Sequence, residues 1–230
     1  MERKKFTLKE LDEFPYFDEK GHRILSESVE REEQQDAELL IPAHATVLEL
    51  GGRYGLAAAV INNRLDNPKL HIVVEPDPLV QSALERNKLS HHCDYTIFQG
   101  VISYQPMYFN SFGFCSFCSP VPNDTPIQTL TLEEIQTIYG IAKFTHVVAD
   151  CEGGLMDFFE ENKHFFTTLE GVYFEGDTKN GMKVEYEPLK SFLQEHGFEP
   201  KKTGFREYWE RVKLDSQLAQ YCQINATNSS

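Results

Sequence analysis

Short β-branched runs and helix-length amphipathic stretches take turns along most of this chain. Thr46-Val47-Leu48-Glu49-Leu50 reads as a strand ending in glycines, and Leu56 to Ile61 follows as a helix. The unit repeats: His71-Ile72-Val73-Val74 is closed by Glu75-Pro76-Asp77-Pro78, and Leu79 to Lys88 has helical character. Tyr95 to Phe98, His146 to Ala149 and Gly171 to Phe174 predict three further strands, the last two separated by a helical pattern over Leu155 to Phe166. Such alternation predicts an α/β fold, a mostly parallel central sheet with helices on both faces. Glu187 to His196 then reads as a helix ended by Gly197, and Phe198 to Val212 as a C-terminal antiparallel hairpin.

Three stretches stand outside that rhythm. Ser26 to Leu40, highly charged with Val29, Ala37, Leu39 and Leu40 toward one side, predicts a surface helix. Residues 1–45 are therefore expected to be a helical lead-in to one domain over 46–224, with 225–230 a frayed tail. Tyr104 to Pro126, rich in Phe, Ser, Cys and Pro, predicts an insert over the sheet's carboxyl edge, where Tyr104, Tyr108, Phe112, Phe114 and Phe117 can serve as aromatic platforms or as packing.

Composition narrows the setting. At 230 residues and 40% hydrophobic the chain can bury one substantial core. No run reaches the roughly 18 apolar residues of a membrane span, and the N-terminus lacks the apolar core of a signal peptide, so the expectation is a cytoplasmic protein with no membrane partner. A net charge of −14 repels polyanions and argues against a nucleic-acid partner; Lys201, Lys202, Arg206, Arg211 and Lys213, interleaved with glutamates, read as a solvated face. Five cysteines are an odd number for a disulfide framework. Cys115 and Cys118 form a C-x-x-C without a second ligand pair and are expected to be loop thiols rather than a zinc or redox site.

In an open parallel sheet the ligand lies outside the carboxyl ends of the strands, so the strand ends are where chemistry is sought. Glu49-Leu50-Gly51-Gly52-Arg53-Tyr54-Gly55 places glycines where backbone N–H groups can approach a ligand. Glu75 and Pro76 follow at the end of the next strand, where a carboxylate can accept both ribose hydroxyls of a nucleoside. The dehydrogenase pattern G-x-G-x-x-G does not lie on this turn, because Arg53 takes the middle glycine position. An acid just before the turn suits the amino-acid end of S-adenosylmethionine better than a pyrophosphate.

With Glu49-Leu50-Gly51-Gly52-Arg53-Tyr54-Gly55, Glu75-Pro76-Asp77-Pro78, Thr129-Leu130-Thr131-Leu132 and Asp150-Cys151-Glu152-Gly153 in order and spacing, the stretch from Thr46 to Gly176 resembles the FkbM-type methyltransferases. The resemblance implies a Rossmann-like class I methyltransferase fold and S-adenosylmethionine as cofactor. It further implies that Glu49, Gly51 and Gly55 line the methionine moiety, Glu75 binds the ribose, and Gln99, Gly100 and Val101 flank the adenine. It also implies a sugar or glycan hydroxyl as acceptor. Gly52 and Arg53 stand where that family commonly has Ala and Asn, and Leu155 where it often adds a Glu, leaving Asp150 and Glu152 as the central catalytic candidates.

Asp150 and Glu152 close the fourth predicted strand, Glu175 and Asp177 the fifth; neighbouring strand ends lie about 5 Å apart. One carboxylate can deprotonate the acceptor, or Asp150, Glu175 and Asp177 can hold a divalent metal such as Mg or Mn that does so. Alternatively Asp150 or Glu152 caps the next helix. His44, His71, His91, His92 and His146 are expected at the surface, and His164 at the surface or in packing. Two other functions stay open: a methyltransferase-like protein that binds without catalysis, and an NAD-linked oxidoreductase.

Overall fold

The computed structural model describes residues 4–111, 113, 116–179 and 182–212. Phe112, Phe114, Cys115, Lys213, Cys222 and the tail 225–230 lie outside the described residues. The central sheet has seven strands: β1 (Val47–Leu50), β2 (His71–Val74), β3 (Thr96–Phe98), β4 (His146–Ala149), β5 (Gly171–Glu175), β6 (Phe198–Lys202) and β7 (Arg206–Arg211). Their spatial order is β3-β2-β1-β4-β5-β7-β6. The first five are parallel, and β7 runs antiparallel to both β5 and β6, which is the expected terminal hairpin. Strand order reverses between β1 and β4, the place where open sheets of this kind form a crevice.

Eight helices flank the sheet among the described residues: α1 (Leu8–Leu11), α2 (Arg31–Leu40), α3 (Leu56–Arg64), α4 (Gln81–Ser90), α5 (Leu132–Tyr139), α6 (Gly154–Glu161), α7 (Lys163–Phe166) and α8 (Glu187–Glu195). Strand side chains alternate, so the sheet has two inner faces. Leu48, Leu50, Ile72, Val74, Val147, Ala149, Val172 and Phe174 pack with Leu132, Ile135, Phe158, Phe159, Phe166, Leu189 and Leu193 from α5 to α8. On the other face Val47, Val148 and Tyr173 meet α1, α2 and α3, while Val73 meets α3 and α4. Among the described residues no helix is long and apolar enough to cross a membrane.

The lead-in differs from expectation. It holds α1, a two-stranded pair of Tyr16–Phe17 with Arg23–Ile24, and α2, which starts at Arg31 after a left-handed Glu30. The face that α2 buries is polar, with Glu33, Gln34 and Asp36 beside Ala37, and Leu39 is 75% exposed. Helical periodicity of apolar residues therefore misjudges which side of this helix turns inward. The insert over 104–126 is more regular than its composition suggests: Met107–Asn110 pairs antiparallel with Phe117–Ser119 and with Pro126–Ile127. After it, Thr129–Leu130 runs beside Val101–Ile102, and Thr131 caps α5 in a reciprocal capping box with Glu134.

Candidate functional site

A cavity of about 510 Å³ opens at the carboxyl ends of β1, β2, β4 and β5. That volume falls within the roughly 300–1,000 Å³ of small-molecule sites. The turn after β1 forms its floor. Gly51 has φ +90, and a Cβ built there would lie 1.8 Å from the Asp150 carbonyl oxygen, so only glycine lets β1 and β4 close at this point. Arg53 turns through φ +38 and its N–H donates to Glu75 Oε2 at 2.7 Å. The Asp77 N–H donates to Glu75 Oε1 at 2.7 Å. Both oxygens of Glu75 are thus fixed by backbone donors, each with acceptor capacity left for a ligand hydroxyl. Burial pushes this carboxyl above its ordinary value, with the two N–H bonds opposing.

Glu49, Gly51, Gly52, Arg53, Glu75, Pro76, Gly100 and Val101 all line the cavity. Three expected cofactor residues do not. Tyr54 turns away and its hydroxyl donates to Glu19 at 2.5 Å, Gly55 packs against Leu84 and Tyr95, and Gln99 is exposed outside the cavity. Glu49 has a partner not foreseen: its Oε2 lies 2.7 Å from Nε2 of His71, and both side chains are almost wholly buried. The expected surface role holds for exposed His44 and His92, and His164 is exposed as well, but it fails for His71, whose buried ring is hydrogen-bonded to Glu49. His146 and His91 are also buried, the latter stacked on Tyr16 at 3.7 Å between ring centroids.

At the next strand ends Asp150, Glu152 and Glu175 line the cavity, and Asp177 does not. Asp177 Oδ2 accepts from the Gly153 N–H at 2.7 Å and from the Tyr186 hydroxyl at 2.8 Å. Glu175 pairs with Arg206 at 2.7 Å. Two of the expected metal set of Asp150, Glu175 and Asp177 are therefore committed to other partners, and among the described residues no three His, Cys, Asp or Glu side chains are arranged to hold a metal. The capping alternative fails as well: α6 is capped by Gly153 with no side-chain hydrogen bond. Arg206 is not a solvated cation but a strut from β7 to Glu175 and Glu32.

The charges left facing the cavity are mostly negative. Burial, then Glu175 and Glu30, holds the Asp150 carboxyl well above the carboxylate range. Glu152, in a left-handed conformation at φ +51, is pushed up to about 7 by burial and by Asp177 and Glu175. Two acids that sequence reasoning placed on a surface helix also line the wall, Glu30 and Glu33. Burial and then Glu49 raise Glu30 to about 7; burial and then Asp150 raise Glu33 well above its ordinary value. Apart from His92, the non-glycine residues of positive φ among the described residues are Glu30, Arg53 and Glu152, and all three line this cavity. Strained backbone of this kind concentrates at functional sites. The dense acids of Ser26 to Glu33 were the available signal for the missed pair. From the insert, Met107, Phe109 and Phe117 close the top, whereas Tyr104 bonds Glu133 on the exterior and Tyr108 lies off the cavity.

No family model matches the chain, and no curated relative matches it. Solved structures do resemble it. Cofactor-bound Rv0187 from MTB aligns at 12% identity over 79% of each chain with a TM-score of 0.50. A precorrin-6y C5,15-methyltransferase from Geobacter metallireducens aligns at 11% identity over 79% of this chain and 85% of its own, TM-score 0.45. A ribosomal protein L11 methylase from Lactobacillus delbrueckii does so at 12% over 79% and 78%, TM-score 0.45. These are likenesses of fold. The strand order, with the likeness to the first of these, is that of a Rossmann-like α/β sheet.

Proposed function

We propose that the chain is an S-adenosylmethionine-dependent methyltransferase of the FkbM type that methylates a hydroxyl of a small acceptor, in the first instance a sugar or glycan. The observation that carries this reading is the pairing, in one cavity, of Glu75 fixed by two backbone N–H groups with the Gly51 turn closed against β4. The Glu75 carboxylate has free acceptor capacity for a ribose, while Pro76, Gly100 and Val101 supply flat or small surfaces for a base. Glu49, Gly51 and Gly52 line the cavity beyond it, where the amino-acid end belongs.

When bound, the cofactor supplies a methyl group already activated by its sulfonium, so positioning supplies most of the rate. The chain's part is to seat the acceptor and receive its proton. A carboxylate oxygen of Asp150 or Glu152 takes the hydroxyl proton, and a base poised near neutrality, as Glu152 is at about 7, suits that exchange. Met107, Phe109 and Phe117 exclude water above the site.

Calorimetric titration with S-adenosylhomocysteine, run beside NAD, tests the reading. Binding of the nucleoside thioether and not of NAD is the expected result, and Glu75→Ala should weaken it about tenfold or more, since it removes hydrogen bonds to a charged group. A protein that binds NAD alone, or neither, sinks it.

A further inference from the structure

Resting on the methyltransferase reading, the geometry points to an acceptor that carries a protonated amine beside its reacting hydroxyl, with the ammonium seated on Glu33 and Glu30. Glu33 is 4% exposed, lines the cavity, and has no hydrogen-bond or ion-pair partner among the described residues. A carboxylate so buried and unpaired is costly unless something of opposite charge reaches it. Arg53 is the only basic residue among the cavity's described lining residues, which otherwise carry acids from every strand end. Arg206, outside the cavity lining, feels the Glu33 charge but forms its ion pairs with Glu175 and Glu32.

The acids fall into two groups. The charges felt most by Glu75 are those of Asp77 and Arg53, whereas Glu33 feels Asp150, Glu30, Glu49 and Glu175. Glu33 therefore sits with Asp150, away from the nucleoside end, and a group held there lies on the acceptor's side. The shape of the donor set favours an ammonium over a metal ion. Among the described residues no three ligating side chains converge, and an ammonium's three N–H donors need only separate carboxylate acceptors. Anchored in protonated form, the amine is not the nucleophile; it fixes the neighbouring hydroxyl beside Asp150. An amino sugar meets this description and a neutral sugar does not.

Thermal-shift titration of the protein saturated with S-adenosylhomocysteine tests the assignment with two matched pairs of probes, glucosamine against glucose and ethanolamine against ethylene glycol. The amines should bind and their neutral partners should not. Glu33→Gln, and independently Glu30→Gln, should weaken the amines about tenfold or more while leaving the S-adenosylhomocysteine affinity within about twofold. Two results overturn it: amines and neutral partners indistinguishable in the wild type, or Glu33→Gln weakening S-adenosylhomocysteine while sparing the amines, which would assign these acids to the cofactor. Should the wild type bind no S-adenosylhomocysteine, the methyltransferase reading fails separately. The same amine titration on the unloaded protein then decides whether an ammonium site exists.

Discussion

The two faces of one sheet are built on different physics. Toward α5, α6, α7 and α8 the strands present Leu48, Leu50, Ile72, Val74, Val147 and Phe174 to a layer dominated by Phe158, Phe159, Phe166, Leu189 and Leu193. Toward α2 and α3 the same strands present Glu49, His71 and Tyr173, and the helix above contributes Glu33, Gln34 and Asp36. Tyr173 donates its hydroxyl to Asp36 at 3.0 Å, and Lys202 reaches the same carboxylate. One face is held by area removed from water alone; the other adds to its own apolar clusters a set of buried polar groups that cost free energy whenever a partner is lost. The cavity opens where the polar face meets the strand ends, so chemistry and structural risk share an address.

The largest contrast between the faces should appear in turnover. Asp150→Asn removes one of the two proposed bases without altering shape and should lower kcat by about 10²–10⁴-fold, the range of general-base contributions, if Asp150 rather than Glu152 takes the proton. S-adenosylhomocysteine affinity should stay near wild type and Tm should not fall, since the Asp150 side chain has no hydrogen-bond partner to lose among the described residues. Near-normal turnover with a true acceptor would remove Asp150 from the mechanism.

Next comes the buried pair. His71→Ala leaves the buried Glu49 carboxyl without its hydrogen-bond partner beside a new cavity and should cost about 2–5 kcal/mol by chemical denaturation. Glu49→Gln in the same chain should recover part of that loss. Simple additivity of the two substitutions would show that the side chains are not energetically coupled. On the dry face Leu189→Ala should cost about 2–5 kcal/mol, with cofactor affinity unchanged in the folded protein. If Leu189→Ala weakened cofactor binding in the folded protein, the division between the faces would not hold.

The dry face was the legible one. Val and Ile at alternate strand positions, glycines after β1 and Glu-Pro-Asp-Pro after β2 announce β-α units by local chemistry, and the parallel sheet and its hairpin follow. The insert's small sheet and α5 were missed, although Thr131-x-x-Glu134 carries a capping signal. The polar face was harder because burial of a charge is decided by distant partners: nothing near His71 in sequence reports Glu49, and nothing in α2 reports Asp150. Apolar periodicity pointed α2 at Leu39 and Leu40 and turned Glu33 outward. Asp177 was counted as a ligand because its strand-end position is visible in sequence, while the Gly153 and Tyr186 donors that occupy it are not.

The smallest effect is also the one that isolates the polar face, and it lies in the pH dependence of stability. Glu30 and Glu152 titrate near 7 in the folded protein against an ordinary value of 4.5, and Glu33 and Asp150 are displaced in the same direction. Between about 4.5 and 7 the unfolded chain gives up these protons while the folded chain retains them, so their contribution is fully present below 4.5 and is lost as pH rises through 7. His91 acts oppositely, because burial lowers it from 6.5 to about 4 and its contribution fades as pH falls through that interval. Above 6.5 His91 is neutral in both states, and the carboxylates act alone. Tm should therefore fall from pH 6.5 to pH 7.5 in the wild type. Glu33→Gln should raise Tm at pH 7.5 by about 2–4 °C, which is near 1 kcal/mol for a domain of this size, and should flatten the slope. The variant removes an ionisable group whose charged form burial and Asp150 both oppose, Arg206 being drawn first to Glu175. A Tm that drops on Glu33→Gln would mean that the glutamate is ionised and satisfied in the free protein, and the two faces of the sheet would then differ in composition without differing in how they are held.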